Sequence, residues 1–290
     1  MNVTSGWLLA AGSILIATGL LGGLAWRVPQ RPGLSRLADT VAWVGLAFVL
    51  TLWIARWSEA GHLPVFGTFE SSLSIALAVL LVPTVFRFLD RVPAVATPGA
   101  CLIAGAVLLH GRAYDPTVYA LTISERSWVV DAHAFIAWGS FGMLAANAGF
   151  AAWLIARRRE DRDVSDKPLA GTLTAGFLLH SAMLVSGSLY KFLLFGQTWS
   201  FDPIETLGFA TWIAYGTLLH LHAFAGWRGR KLAVWCLALF ALLVVSYRGI
   251  VWFPAWSTYH IFDMDLRIHV TGSDEAGASY RDAVTEDDTP

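Results

Sequence analysis

Residues 171–226 read GTLTAGFLLHSAMLVSGSLYKFLL (171–194), FGQTWSFDPIE (195–205) and TLGFATWIAYGTLLHLHAFAG (206–226). Two apolar runs, each long enough to cross a bilayer, flank a short loop that holds aromatic rings and two carboxylates. Lipid offers no partner for backbone N–H and C=O groups, so such runs cross as helices. The alternating ten-residue segments of a membrane barrel are absent.

The same reading extends outward from this hairpin. Eight spans are predicted, at about 7–26, 38–57, 68–86, 92–110, 130–156, 171–194, 206–226 and 232–252. Composition agrees: 56% of the 290 residues are hydrophobic and 14% charged, against about 25% charged in soluble domains. The expected fold is therefore an all-α polytopic bundle in the lipid bilayer. Residues 1–270 form a single membrane-embedded domain, and 271–290 a polar, acidic tail expected to be disordered. Met1–Gly6 lacks the basic stretch of a secretory signal. The net charge of −1 carries no sign of nucleic-acid binding, and no such partner is expected. Cys101 and Cys236 lie in apolar runs with no CxxC pattern, so both read as buried structural thiols.

Basic residues give an orientation. Arg27, Arg31 and Arg36 follow the first span, and Arg87 and Arg91 the third. Arg157, Arg158, Arg159, Arg162 and Lys167 follow the fifth, and Arg228, Arg230 and Lys231 the seventh. The positive-inside rule places these alternate loops in the cytoplasm. Both termini, the segments 58–67 and 111–129, and the 195–206 loop then lie outside the cell membrane.

Eight histidines punctuate this framework: His62, His110, His133, His180, His220, His222, His260 and His269. A histidine within a span is costly unless it has a partner or ligand, and neutral imidazole binds haem iron well. Aromatic rings and imidazoles beside a membrane suit a flat, apolar, iron-bearing ligand. Haem b is the candidate cofactor.

Motif and topology together resemble the haem-handling membrane proteins of cytochrome c biogenesis, the CcsA/ResC type in particular, and more distantly CcmC and CcmF. That family's motif reads approximately WGSYWSWDPKETW. Phe195, Gly196, Trp199, Ser200, Asp202, Pro203, Glu205 and Thr206 fall in step with it. Thr211, Trp212, Tyr215 and His220 continue the register, Gly187 and Tyr190 match upstream, and Phe69-Glu70-Ser71 resembles the family's YES element. The chain departs from the pattern at Phe195 and Phe201 (tryptophans in the motif), Ile204 (lysine) and Leu207 (tryptophan), which marks a divergent branch.

The resemblance implies an external pair of axial iron ligands, His133 and His260, holding haem over Trp199 and Phe201. It also implies a membrane histidine, His220. In the family the partner of that histidine can come from a CcsB-like subunit. Here His180 is either that partner or a core histidine bound to a serine or a carbonyl. Lys191 and Arg248 either pair with haem propionates or snorkel and pair with Glu70, Asp131 or Glu205. Asp202 and Glu205 are either acid–base groups or the cap of the seventh span, with Asp202-Pro203 as N-cap and N1.

The implied function is presentation of haem at the external face for attachment to apocytochrome c. The protein supplies position and the cofactor supplies reactivity, so no general acid or base is assigned. A second reading is a bis-histidine haem b electron-transfer subunit of a respiratory complex, exchanging electrons with quinol or an external c-type cytochrome. A third is a haem-sensing member.

Overall fold

A computed structural model describes residues 3–27, 32–89, 96–118, 121, 125–156 and 167–252. Eight α-helices run through them: α1 (Ser5–Arg27), α2 (Pro32–Ala60), α3 (Gly67–Phe88), α4 (Ala96–Gly111), α5 (Trp128–Ala156), α6 (Lys167–Phe195), α7 (Pro203–Ala223) and α8 (Gly229–Trp252). No strand occurs among the described residues. His260, His269 and the tail 271–290 lie outside them.

Each predicted span holds one helix, so the chain is an all-helical polytopic membrane bundle. Six helices meet both the length and the apolarity needed to cross a bilayer: α1, α2, α3, α5, α6 and α8. The 16-residue α4 reaches only about 24 Å at 1.5 Å per residue. α7 is long enough at 21 residues, but Glu205, His220 and His222 dilute its apolar character. α6 begins at Lys167, four residues before the apolar run, which moves His180 further from the start of the helix than the run alone indicates.

The helices alternate in direction. The end of α2, the starts of α3, α5 and α7, and the ends of α4, α6 and α8 all gather at the aromatic-loop end of the bundle. α5 is the hub, packed on α3, α4, α6 and α8, while α7 packs mainly on α6 and α8. Between helices in lipid there is little hydrophobic drive, so small residues that admit close backbone approach carry the packing. A Cβ on Gly99 of α4 would sit 2.5 Å from the Gly149 Cα of α5.

One buried ion cluster ties the loop end together. Arg56, 1% exposed, donates from Nε to Glu70 Oε1 (2.9 Å), from Nη1 to Glu59 Oε2 (3.4 Å) and from Nη2 to the Thr117 carbonyl (3.2 Å). The Val3 N–H donates to the same Glu59 oxygen. Arg56 thus joins α2, the start of α3 and the α4–α5 segment. Cys101 and Cys236 are buried and unlinked, as expected of structural thiols.

Candidate functional site

The aromatic loop is built by local rules. Gly196 adopts φ +69° and its N–H returns to the Phe192 carbonyl at 3.0 Å. This left-handed residue ends α6 at low cost, because it has no Cβ to clash. Asp202 opens α7. Its Oδ1 accepts the Ile204 N–H at 3.0 Å, and Pro203 fills the first helical position. Replacing Asp202 by alanine is expected to cost about 0.5–2 kcal/mol of stability, the usual loss for an N-cap. Thermal unfolding of the detergent-purified variant measures it, and an unchanged midpoint would show that the cap is idle.

Glu205 faces back into the loop. Its Oε2 accepts the Ser200 N–H at 2.9 Å, and its Oε1 forms a close ion pair with Lys191. Lys191 also donates to the Ser200 hydroxyl. Lys191 is 5% exposed, so this is a buried pair that fastens the loop to α6. Of the two roles considered for Lys191 and for the loop carboxylates, the structure displays the structural one. Where the motif carries a lysine this chain has Ile204, and the cation beside Glu205 comes from α6 instead.

Beneath the loop lies a cavity of about 240 Å³. Trp199 and Phe195 of the loop border it, with Ile204, Glu205 and Gly208 of α7. α6 adds His180, Leu184, Gly187 and Lys191, and α5 adds His133, Ala137, Trp138 and Ser140. Tyr247 of α8 fixes one wall by accepting the Trp138 indole N–H at 2.9 Å. Phe201 is not part of the lining. It is 81% exposed with φ +59° and meets Trp199 edge-on, with ring centroids 6.3 Å apart. A surface of Trp199 and Phe201 together under one ligand is therefore not what this geometry offers.

Hydrogen bonds assign the histidine tautomers. Ser186 Oγ lies 3.0 Å from the Met183 carbonyl and 3.1 Å from His133 Nδ1. Gly187 makes room for this ring, since a Cβ there would lie 2.9 Å from His133 Cε1. The Nδ1–H of His220 donates to the Gly216 carbonyl at 2.9 Å, leaving the lone pair on Nε2.

His180 has the opposite arrangement. Its Nε2–H donates to the Gly208 carbonyl at 3.1 Å, and its Nδ1 stands 3.4 Å from Ser140 Oγ. It is 2% exposed and bolts α5, α6 and α7 together. Gly208 precedes His220 by twelve residues on α7, about 18 Å along the axis. The structure does not bring His180 and His220 together. Helix rotation and the earlier start of α6 account for the difference from the span-based expectation.

The remaining candidates fall elsewhere. Arg248 is buried at the end of α8 and donates from Nη2 to Ser72 Oγ at 3.1 Å. His222 Nδ1 lies 2.9 Å from the Trp227 carbonyl at the α7–α8 turn. His62 lies in the segment between α2 and α3. It has Nδ1 at 2.9 Å from the Leu63 carbonyl, while its Nε2 is buried with no hydrogen-bond partner among the described residues. No periodicity flags such a residue, because it lies between helices.

The profile of the family described as "Cytochrome C assembly protein" matches residues 34–257. The chain belongs to this family. Among its relatives is the "Cytochrome c biogenesis protein CcsA" of Prochlorococcus marinus (strain NATL1A), 29% identical over 268 residues covering 78% of this chain and 84% of the relative. The protein of the same name from Synechococcus sp. (strain CC9605) is 25% identical over 282 residues, 83% of this chain and 91% of the relative. These identities make it a divergent CcsA-type member of the cytochrome C assembly family. The matched region spans α2 to α8, and so includes both the cavity and the loop above it.

Proposed function

We propose that this protein binds haem b at the aromatic-loop end of its bundle and presents it outside the cell membrane for attachment to apocytochrome c. Family membership gives its part in cytochrome c biogenesis, which implies haem handling. The observation that carries the finer reading is His133. It lines an aromatic-walled cavity, in a slot that Gly187 keeps open, and neutral imidazole binds haem iron well. The residues present fit the group, with Trp138, Phe141, Tyr190 and Trp199 giving flat apolar walls. When bound, haem supplies vinyl groups that accept the cysteine thiols of the apocytochrome. The chain orients the macrocycle and excludes water.

His260 is the proposed second external ligand, on the family resemblance. Lys191 is engaged by Glu205 and Arg248 by Ser72, so neither is assigned to a propionate. His220 is an exposed side chain near the cytoplasmic end of α7 and is proposed as the entry ligand. Its partner then comes from another subunit of CcsB-like kind. The orientation rests on the basic loops, which put the cavity on the periplasmic or external side. The electron-wire reading needs two bis-histidine pairs within one chain, and the His180–Gly208 bond takes away the inner one.

Reduced-minus-oxidised and pyridine-haemochrome spectra of the detergent-purified protein test this. Wild type is expected to show a b-type signal that weakens in His133→Ala, weakens separately in His220→Ala and persists in His180→Ala. A haem-free wild type after expression with ample haem, or a signal indifferent to His133→Ala, would overturn the reading.

A further inference from the structure

Another pocket, of about 740 Å³, opens at the loop end of the bundle between the end of α2, the segment after α4 and the start of α5. Its walls include Trp57, His62, Leu121, Arg126, Trp128 and Asp131. It stands where one apolar span ends at Ala60 and another begins at Trp128. Asp131 and His133 are two residues apart on α5 but line different pockets, with Glu125 bordering both.

The local chain sets an acceptor in this pocket. Gly61 ends α2 at φ +71°, with its N–H on the Trp57 carbonyl at 2.9 Å. The turn brings His62 to the start of α3, where its Nδ1 lies 3.9 Å from Glu70 Oε2 and its side chain is 16% exposed. The Leu63 carbonyl, 2.9 Å from Nδ1, can only accept, so Nδ1 carries a proton. In the neutral ring Nε2 is then an acceptor, and it is buried with no hydrogen-bond partner among the described residues. Such a group calls for a donor from outside the chain.

Two charges share the pocket with it. Asp131, in the first turn of α5, interacts electrostatically with His62. Arg126 is exposed and donates from Nε to the Leu121 carbonyl at 3.1 Å. Among the described residues neither Asp131 nor Arg126 forms an ion pair, with each other or with a third group. Opposite charges that line one pocket without meeting leave a cation site beside an anion site, and a zwitterion satisfies both.

We propose that this pocket holds the headgroup of a zwitterionic aminophospholipid, phosphatidylethanolamine, from the adjoining leaflet. The ammonium sits at Asp131 and gives His62 Nε2 the donor it lacks. The phosphate meets the Nη groups of Arg126, a pairing that guanidinium favours. Trp57 and Trp128, 46% and 77% exposed, stand at the level where amphipathic rings meet headgroups. Their indole faces also attract an ammonium. A phosphatidylcholine headgroup carries the same charges but no N–H, so it leaves Nε2 unsatisfied. A lysine side chain from a polypeptide would leave the Arg126 charge unmet and be repelled by it. This site does not depend on what fills the cavity beneath the aromatic loop.

Native mass spectrometry of the delipidated full chain, with dioleoyl phosphatidylethanolamine, phosphatidylcholine or phosphatidylglycerol added in detergent, tests the site. Wild type is expected to retain one phosphatidylethanolamine, about tenfold more tightly than phosphatidylcholine, the scale of one hydrogen bond to a charged group. Asp131→Asn and Arg126→Gln should each weaken it about tenfold. Phosphatidylglycerol, which has no ammonium, should respond to Arg126→Gln alone. His62→Phe should abolish the preference over phosphatidylcholine. Asp131→Glu, which keeps the carboxylate, should restore most of the affinity, and so separates lost binding from lost folding.

Equal retention of phosphatidylethanolamine and phosphatidylcholine by wild type would overturn the proposal. So would phosphatidylethanolamine binding unchanged in both Asp131→Asn and Arg126→Gln. Glycerophosphoethanolamine, which has no acyl chains, should compete poorly; binding as tight as that of the lipid would refute a membrane source. Displacement of the lipid by a lysine-rich peptide, dependent on Asp131 and indifferent to Arg126→Gln, would make this a polypeptide site instead.

Discussion

Lys191→Met is expected to destabilise the protein by about 3–5 kcal/mol, the cost of breaking a buried ion pair from one side. Lys191 and Glu205 have side chains 7% and 11% exposed, so water cannot take the place of the lost cation. Glu205 would keep its bonds from Ser200 while its charge stayed buried. Glu205→Gln should cost less, since an amide oxygen still accepts the Ser200 N–H. The double variant Lys191→Met/Glu205→Leu should recover much of the loss, because two apolar side chains replace two charges. Thermal unfolding by circular dichroism in detergent gives the cycle, and protease cutting within 196–202 reports the loop. A single-variant loss below about 1 kcal/mol would show that the pair behaves as a solvated one.

Gly187→Val is the second large effect, and it falls on binding. A Cβ at this position would stand 2.9 Å from His133 Cε1 and 3.3 Å from Nδ1. The ring must turn away and forfeit its contact with Ser186. External haem affinity is expected to fall about 10-fold or more, the range for displacing a second contact of a ligating histidine. Gly187→Ala should fall less, and Ser186→Ala, which removes the contact without crowding the ring, should resemble it. Haem at His220 should be unchanged in all three. Titration of haemin into the purified variants measures the loss. Wild-type affinity in Gly187→Val would mean that His133 does not hold the iron.

What could be read from the chain follows how locally each feature is determined. The eight helices follow from apolar runs, and the α7 start follows from Asp202-Pro203, because capping is settled within four residues. The Lys191–Glu205 pair was among the pairings open to Lys191, and it needed only the proximity of two helix ends across a short loop. The His180 contact was not legible. Whether a residue faces the next helix or the one behind depends on rotation set by packing along the whole of α6, including Gly176 against Leu144. Phe201 was misjudged for a different reason. Its left-handed backbone turns the ring outward, and nothing in the residue type announces that conformation.

The place of α7 in the bundle has a consequence for how the protein is made. It carries one wall of the cavity, yet it is not among the six helices that length and apolarity alone would commit to a bilayer. Its main neighbours are α6, already synthesised, and α8, which follows. A nascent chain halted before residue 229 therefore has the loop, fastened to α6, but lacks the wall that Leu243, Ser246 and Tyr247 supply from α8. The pocket surface comes into being only when translation has delivered the final helix, and an interrupted product lacks it.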